Sequence, residues 1–167
     1  MTKVDKYLCV ALFCIACLAT ACTQERQPCL TPMRANLNVR TIQFKKGAAE
    51  TVDTALPAAI FRAFTPSGVQ GFIFDRASTF VLSLSPDSDT SKWAFTTDTS
   101  GTPFDTLTFY YRRDKQFISN ACGYACFFKL DSVHTTRKII DSIHIINANV
   151  TNNANAGNLQ IYIHPGA

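Results

Sequence analysis

Past residue 22, no stretch of this 167-residue chain keeps apolar side chains at helical spacing. Apolar and polar residues alternate instead in short runs, each closed by Gly, Pro, Asp or Asn. The clearest run is "DTLTFYYRR", with Leu107, Phe109 and Tyr111 on one face and Thr106, Thr108, Tyr110 and Arg112 on the other. "STFVLSLSP" sets Phe80, Leu82 and Leu84 against Val81, Ser83 and Ser85, and "NLQIYIH" sets Leu159, Ile161 and Ile163 against Gln160, Tyr162 and His164. "ANLNVRTIQF" alternates through Leu37 and Val39, then shifts at Thr41 and Ile42; "FISNACGYACFFKL" puts Cys122, Tyr124, Cys126, Phe128 and Leu130 on one face; "IIDSIHIINANV" points Ile143 and Ile145 inward. "PAAIFRAF", "VQGFIFD" and "KWAFTTD" read as further strands, with Trp93 a core residue. "DSDTS" reads as a turn, the pair Arg112–Arg113 as a charged strand end, and the Asn-rich "NANVTNNANAGN" as a loop that packs no core. About eight strands with one wet face each predict an all-β chain, an Ig-like antiparallel β-sandwich, with a small closed β-barrel as the other architecture of the same periodicity.

The front of the chain has a different logic. Lys3 and Lys6 precede "YLCVALFCIACLATA", an apolar run too short to span a bilayer comfortably, which ends in Ala19-Thr20-Ala21-Cys22. Small residues ahead of a cysteine are what a lipoprotein signal peptidase needs, although Leu18 stands one position further from Cys22 than the usual box prefers. The expected organisation is a signal peptide over 1–21, a lipidated Cys22 with its tether over 22–34, and a β-sandwich domain over 35–167. Two or more acyl chains hold a protein stably on a membrane, so the first expected partner is the membrane itself, through the N-terminal lipid. The expected location is the cell envelope, lipid-anchored, at the outer membrane.

About 146 residues remain after the leader, enough for one domain with a real core. The full chain carries a formal charge of +4, and losing Lys3, Lys6 and Asp5 lowers it by one. With no basic run or Arg-rich stripe, nucleic acid is not an expected partner. Of the cysteines, Cys29, Cys122 and Cys126 follow the anchor, and they allow three single disulfides. Cys122 and Cys126 cannot bond across an extended strand, because four residues span ~13 Å and bridged Cα atoms lie about 4–7 Å apart; a turn at Gly123 is the exception. Cys29 with Cys122 is the favoured pair, since it clips the tether to the body. "CGYAC" has neither the spacing nor the companions of a redox or zinc motif.

No nucleophile elbow, zinc-protease motif, phosphate loop or dinucleotide fingerprint is present. The expectation is therefore a non-enzymatic chain with no cofactor, no catalytic residue and no metal. One possible ligand surface emerges: if their strands were neighbours, Tyr110, His144, Tyr162 and His164 would form an outer-face patch suited to a glycan or small ligand. Four Asp-Ser/Thr-apolar tripeptides, beginning at Asp53, Asp105, Asp131 and Asp141, read either as O-glycan acceptors or as turn-to-strand entries.

The stretches "CLTP", "LNVRTIQF", "DTLTFYYRR", "ISNACGY", "IDSIHIINANV" and "LQIYI" together resemble an uncharacterised family of Bacteroidota lipoproteins, a domain of unknown function. The resemblance implies an all-β envelope lipoprotein. It implies that Cys29 and Cys122 are the family's two cysteines, which supports their pairing, and that Cys126 is an added, buried free thiol. It brings no catalytic residue. The expected role is an accessory or assembly module of a larger envelope complex, with an envelope protein as partner; the alternative is a free-standing binder of a glycan or small ligand.

Overall fold

The computed structural model describes residues 28–30, 34–44, 51–53, 55–153 and 157–163. The expected leader over 1–21, Cys22 and His164 lie outside them. The chain divides into two units, Met1–Leu30 and Thr31–Ala167. In the first, residues 28–30 carry no regular structure and are exposed.

The second unit is all-β, with two sheets and no closed barrel among the described residues. The larger sheet holds six strands in the order β10 (Asn149–Val150), β8 (Gly123–Thr135), β7 (Asp105–Ser119), β6 (Thr90–Thr96), β3 (Leu56–Thr65) and β4 (Gly68–Ala77). All its pairings are antiparallel. In the smaller sheet, β1 (Asn36–Phe44) pairs along one edge with β5 (Thr79–Ser83) and then β2 (Thr51–Asp53). Its other edge meets β11 (Leu159–Ile163), which pairs onward with β9 (Ile140–Ile145). The β1–β11 pairing is parallel, so the sandwich is not antiparallel throughout. Alternation within a strand carries no record of its neighbour's direction, so the parallel pair leaves no mark in the pattern.

The core forms where the inward faces meet. Leu37 and Val39 of β1, Phe80 and Leu82 of β5, Phe61 of β3, Phe95 of β6, Leu107 and Phe109 of β7, and Ile161 and Ile163 of β11 are fully buried. Phe61 links the sheets: its ring centroid lies 5.0 Å from Phe80 and 4.8 Å from Phe95. Trp93 is buried, as expected. Tyr111 packs edge-on against Phe128 at 5.2 Å. Its hydroxyl exchanges bonds with Ser91 (2.7 Å) and the backbone of Ser85 (3.0 Å), so the one polar atom of this buried ring is satisfied. Burial pushes the phenol's pKa up, against the Ser91 and Ser85 bonds.

Three buried polar residues stand where the chain passes between sheets. Only Ser78 separates β4 from β5, and Arg76 just before it adopts a left-handed φ of 48°. Thr41 of β1 donates its backbone N–H to the Ser78 carbonyl at 2.8 Å and holds this corner. At the β8-to-β9 crossing, the carboxylate of Asp105 accepts from Thr136 Oγ1 (2.6 Å) and from the amides of Lys138 (2.7 Å), Ile139 (2.7 Å) and Ile140 (2.8 Å). Near β10, the Asn158 side chain accepts from the Asn38 amide (3.0 Å) and donates to the carbonyls of Asn147 (3.1 Å) and Asn149 (2.9 Å). Among the described residues no buried side-chain nitrogen or oxygen lacks a partner.

Several local expectations are corrected. The Asn-rich stretch is not simply a loop: Asn149 and Val150 pair with Lys129 and Phe128, Val150 is fully buried, and Asn158 is buried too. A single valine between polar residues has no alternation to reveal it. Thr41 stays on the inward face of Leu37 and Val39, so the expected shift does not begin at Thr41; the side chains of Ile42 and Phe44 lie outside those described. The two arginines do not end a strand, because β7 runs on to Ser119 and forms a long hairpin with β8. On β8 Tyr124 is exposed and Ala125 is buried, and Cys122 lies in the turn. On β9 Ile140 is fully buried while Ile145 is exposed, because β9 is a sheet edge. The Asp105 tripeptide is a turn-to-strand entry whose carboxylate is wholly inside.

Candidate functional site

The residues of the expected ligand surface fall on different sheets. His144 of β9 and Tyr162 of β11 meet in the smaller sheet, ring centroids 5.1 Å apart, because Gln160 pairs with His144 and Tyr162 with Ser142. Tyr110 of β7 belongs to the larger sheet, where its ring stands edge-on to His134 at 5.5 Å. The single patch of Tyr110, His144, Tyr162 and His164 is therefore corrected to two separate aromatic–histidine pairs, with His164 outside the described residues. Strand adjacency decides which outward side chains meet, and adjacency is set by topology.

The larger sheet instead offers two surfaces on its outer side, one near each edge. At the β10 edge, a groove of about 620 Å³ runs over β10, β8 and β7. The antiparallel register pairs Arg112 with Lys129, Asp114 with Phe127, and Lys129 with Asn149, which sets these side chains on one face. Gln116 and Asn152 complete its rim. The Arg112 guanidinium bridges to Asp131 at 3.2 Å, and Arg113 to Asp89 at 2.6 Å. Asp89 lies in the stretch "DSDTS", whose first three residues form the expected turn while Thr90 and Ser91 open β6, and it serves as an ion-pair partner. Gln116 donates to Asp114 at 2.5 Å. This arm of the hairpin is exposed on both sides, which is why its residues show no alternation.

At the β4 edge the outer face is apolar. Phe64 pairs with Val69, and Ile60 with Ile73. Ile73 is 75% exposed, Val69 59% and Phe64 46%. Phe64 and Val69 border a hollow of about 170 Å³, shared with Ile60, Ala94, Gly101 and Phe104. Arg62 lies across this hollow and against Gly101, whose φ of 82° and missing Cβ admit the guanidinium; a Cβ there would come within 2.9 Å of it. Thr96 holds the covering loop by donating to the Pro103 carbonyl at 2.7 Å and accepting from the Asp98 amide. Among the described residues β3 is the only strand that pairs with β4, so the outer edge of β4 presents backbone donors and acceptors. The sequence displayed the apolar residues of "PAAIFRAF" and "VQGFIFD" but not which side of them would stay uncovered.

Cys29 and Cys122 are disulfide-bonded and Cys126 is a free thiol. Burial raises the Cys126 pKa, against the pull of Lys115 and Arg113, so the thiol stays protonated and weakly nucleophilic near neutral pH. Among the described residues no cluster of three or more His, Cys, Asp or Glu side chains is placed to hold a metal. The most strongly engaged carboxylate, Asp105, spends all its bonds on the backbone and a hydroxyl of its own fold.

No curated protein and no solved structure matches this chain. A family model does match, over residues 69–163, which take in β4 through β11 with the groove, the apolar edge strand and the Asp105 and Asn158 clamps. The chain belongs to the family of unknown function DUF6452.

Proposed function

We propose that this chain is a non-enzymatic lipoprotein of the cell envelope that serves as an accessory or assembly module of a larger complex. In this reading residues 1–21 are removed as a signal peptide and Cys22 carries the lipid that anchors the chain at the outer membrane. Cys29 and Cys122 bond to each other and tie the tether to the body. The backbone supports that pairing: Arg34, five residues after Cys29, bridges in parallel to Cys126, four residues after Cys122.

The observation that carries the docking role is the β3–β4 hairpin. Large apolar side chains stand exposed beside a strand edge that no described strand covers. Contiguous exposed apolar groups mark interaction surfaces, and a free edge supplies main-chain hydrogen bonds to an added strand. The aromatic residues expected to hold a ligand are dispersed between sheets, which weakens a ligand site built from them. The test is crosslinking of the native chain in isolated envelopes, followed by affinity recovery and mass spectrometry. One companion protein recovered repeatedly in near-stoichiometric amount is the expected result. A chain recovered without a companion overturns the docking role. Labelling with a palmitate analogue that survives in Cys22→Ala overturns the anchor.

A further inference from the structure

We propose that the end of the β7–β8 hairpin rests in the headgroup region of the membrane that holds the chain, with Phe117 and Tyr124 as its inserted side chains. The inference rests on the reading above, in which Cys22 carries the lipid and Cys29 bonds Cys122, and adds a second point of contact with the bilayer.

One face of the hairpin changes character along its length. Tyr111 pairs with Leu130 and Arg113 with Phe128, and Tyr111, Leu130 and Phe128 are buried. The same face continues through the Lys115–Cys126 pair to the Phe117–Tyr124 pair. There both rings are open to solvent, Phe117 at 55% and Tyr124 at 72%, although they stand edge to face 5.4 Å apart. Adjacent exposed aromatic rings mark a contact surface. The turn that presents them is ordered. The Cys122 amide donates to Ser119 Oγ at 3.1 Å, and Gly123 takes the left-handed φ of 72° that a side chain would resist.

The anchor decides what covers these rings. Cys29 follows Cys22 by seven positions, a reach of at most about 25 Å. A disulfide adds only about 4–7 Å between Cα atoms. Cys122 lies in the turn itself, two residues before Tyr124 and five after Phe117. The bond therefore keeps this end of the hairpin close to the lipid. A second protein on this face would have to fit within the span of that tether.

The side chains suit a lipid surface. Tyrosine collects at the membrane–water interface, its ring among the upper acyl chains and its hydroxyl among the headgroups. Lys115, two residues before Phe117 on the same face, makes no ion pair among the described residues. Its long stem can carry the ammonium back to a lipid phosphate. The neighbouring acid, Asp114, belongs to the opposite face, where it pairs with Phe127 and accepts from Gln116. The face turned to the bilayer thus offers two aromatic rings and one cation, and the acid faces away.

The experiment places a tryptophan at the contact. The chain has one tryptophan, Trp93, which is buried and adds the same background throughout. The full chain, extracted from its own envelope, is reconstituted as parent, Phe117→Trp and Ile73→Trp. The vesicles are phosphatidylethanolamine and phosphatidylglycerol, with or without lipids brominated high on their acyl chains. Bromine quenches only at close range, so it reports a ring sunk about 5–10 Å into the boundary of headgroups and chains. The expected result is a chain that floats with the vesicles and loses most of the added emission at position 117 and little at position 73. Tyr124→Trp should repeat the result at 117, and it takes that variant's place should Phe117→Trp fail to fold. A chain that does not float overturns the anchor and this inference with it. A chain that floats while neither 117 nor 124 is quenched more than 73 overturns this inference alone. Blue-shifted but unquenched emission at 117 assigns the cover to protein, such as a second copy of the chain, and overturns it as well.

Discussion

The two halves of β7 are the same strand under different constraints. From Asp105 to Tyr111 every second residue is buried, and Leu107, Phe109 and Tyr111 enter the core. From Arg112 to Phe117 every residue is exposed. The near half lies between two sheets and must satisfy whatever it buries, so its one charged residue accepts four hydrogen bonds. Among the described residues the far half pairs with β8 alone, and Arg113 ties it to the Asp89 carboxylate and the Pro86 carbonyl. Alternation is therefore a record of packing on one side, and a paired strand can exist without it. Stability should reside in the near half.

Breaking Asp105 should have the largest effect. Asp105→Ala strands two buried backbone amides, Ile139 and Ile140, and frees the β8-to-β9 crossing. A loss of about 3–5 kcal/mol is expected in urea unfolding. A loss below about 1 kcal/mol would mean that the crossing is held by packing alone. The same carboxylate makes stability depend on pH. Burial by itself would raise its pKa, but the Thr136 hydroxyl and the amides of Lys138, Ile140 and Ile139 together hold it below the ordinary value. Its contribution is therefore complete above the ordinary aspartate range, about pH 4, and is lost as pH falls through the lower folded value. Asp105→Asn should flatten that acid limb in a melting-temperature profile.

Tyr111→Phe removes the hydroxyl shared with Ser91 and Ser85 while keeping the ring. It should cost about 1–2 kcal/mol in the same assay. In the far half, Arg112→Ala breaks an exposed ion pair, and its effect should stay within about 0.5 kcal/mol. A far-half change as costly as the Tyr111 change would erase the division between the halves. Ile73→Asp, at the exposed position of the β4 edge, should likewise leave the melting temperature nearly unchanged while removing any docked companion.

The near half was legible because two-sided packing writes itself into sequence as period two. "DTLTFYYRR", "STFVLSLSP" and "LQIYI" showed their buried faces correctly, and Phe80, Leu82, Leu159 and Ile161 are all inside. The far half reads as a strand end at Arg112–Arg113 because every side chain from Arg112 to Phe117 is exposed and no alternation marks the strand. Val150 and Asn158 were misread because each acts alone: one methyl-bearing side chain and one amide have no neighbours to form a pattern. β2 and β10, short strands of three and two residues, escaped for the same reason. The groove residues Phe127, Lys129 and Asn149 come together only through the β8–β7 and β10–β8 registers, which no local signal encodes.

The docking role rests on the β4 edge, and the most direct measurement places a photo-crosslinking amino acid at Ile73 in the native envelope, with a second at Tyr162 on the other sheet as control. The account predicts a discrete higher-mass adduct from position 73 and none from position 162. No adduct from 73, or equal adducts from both, would contradict it.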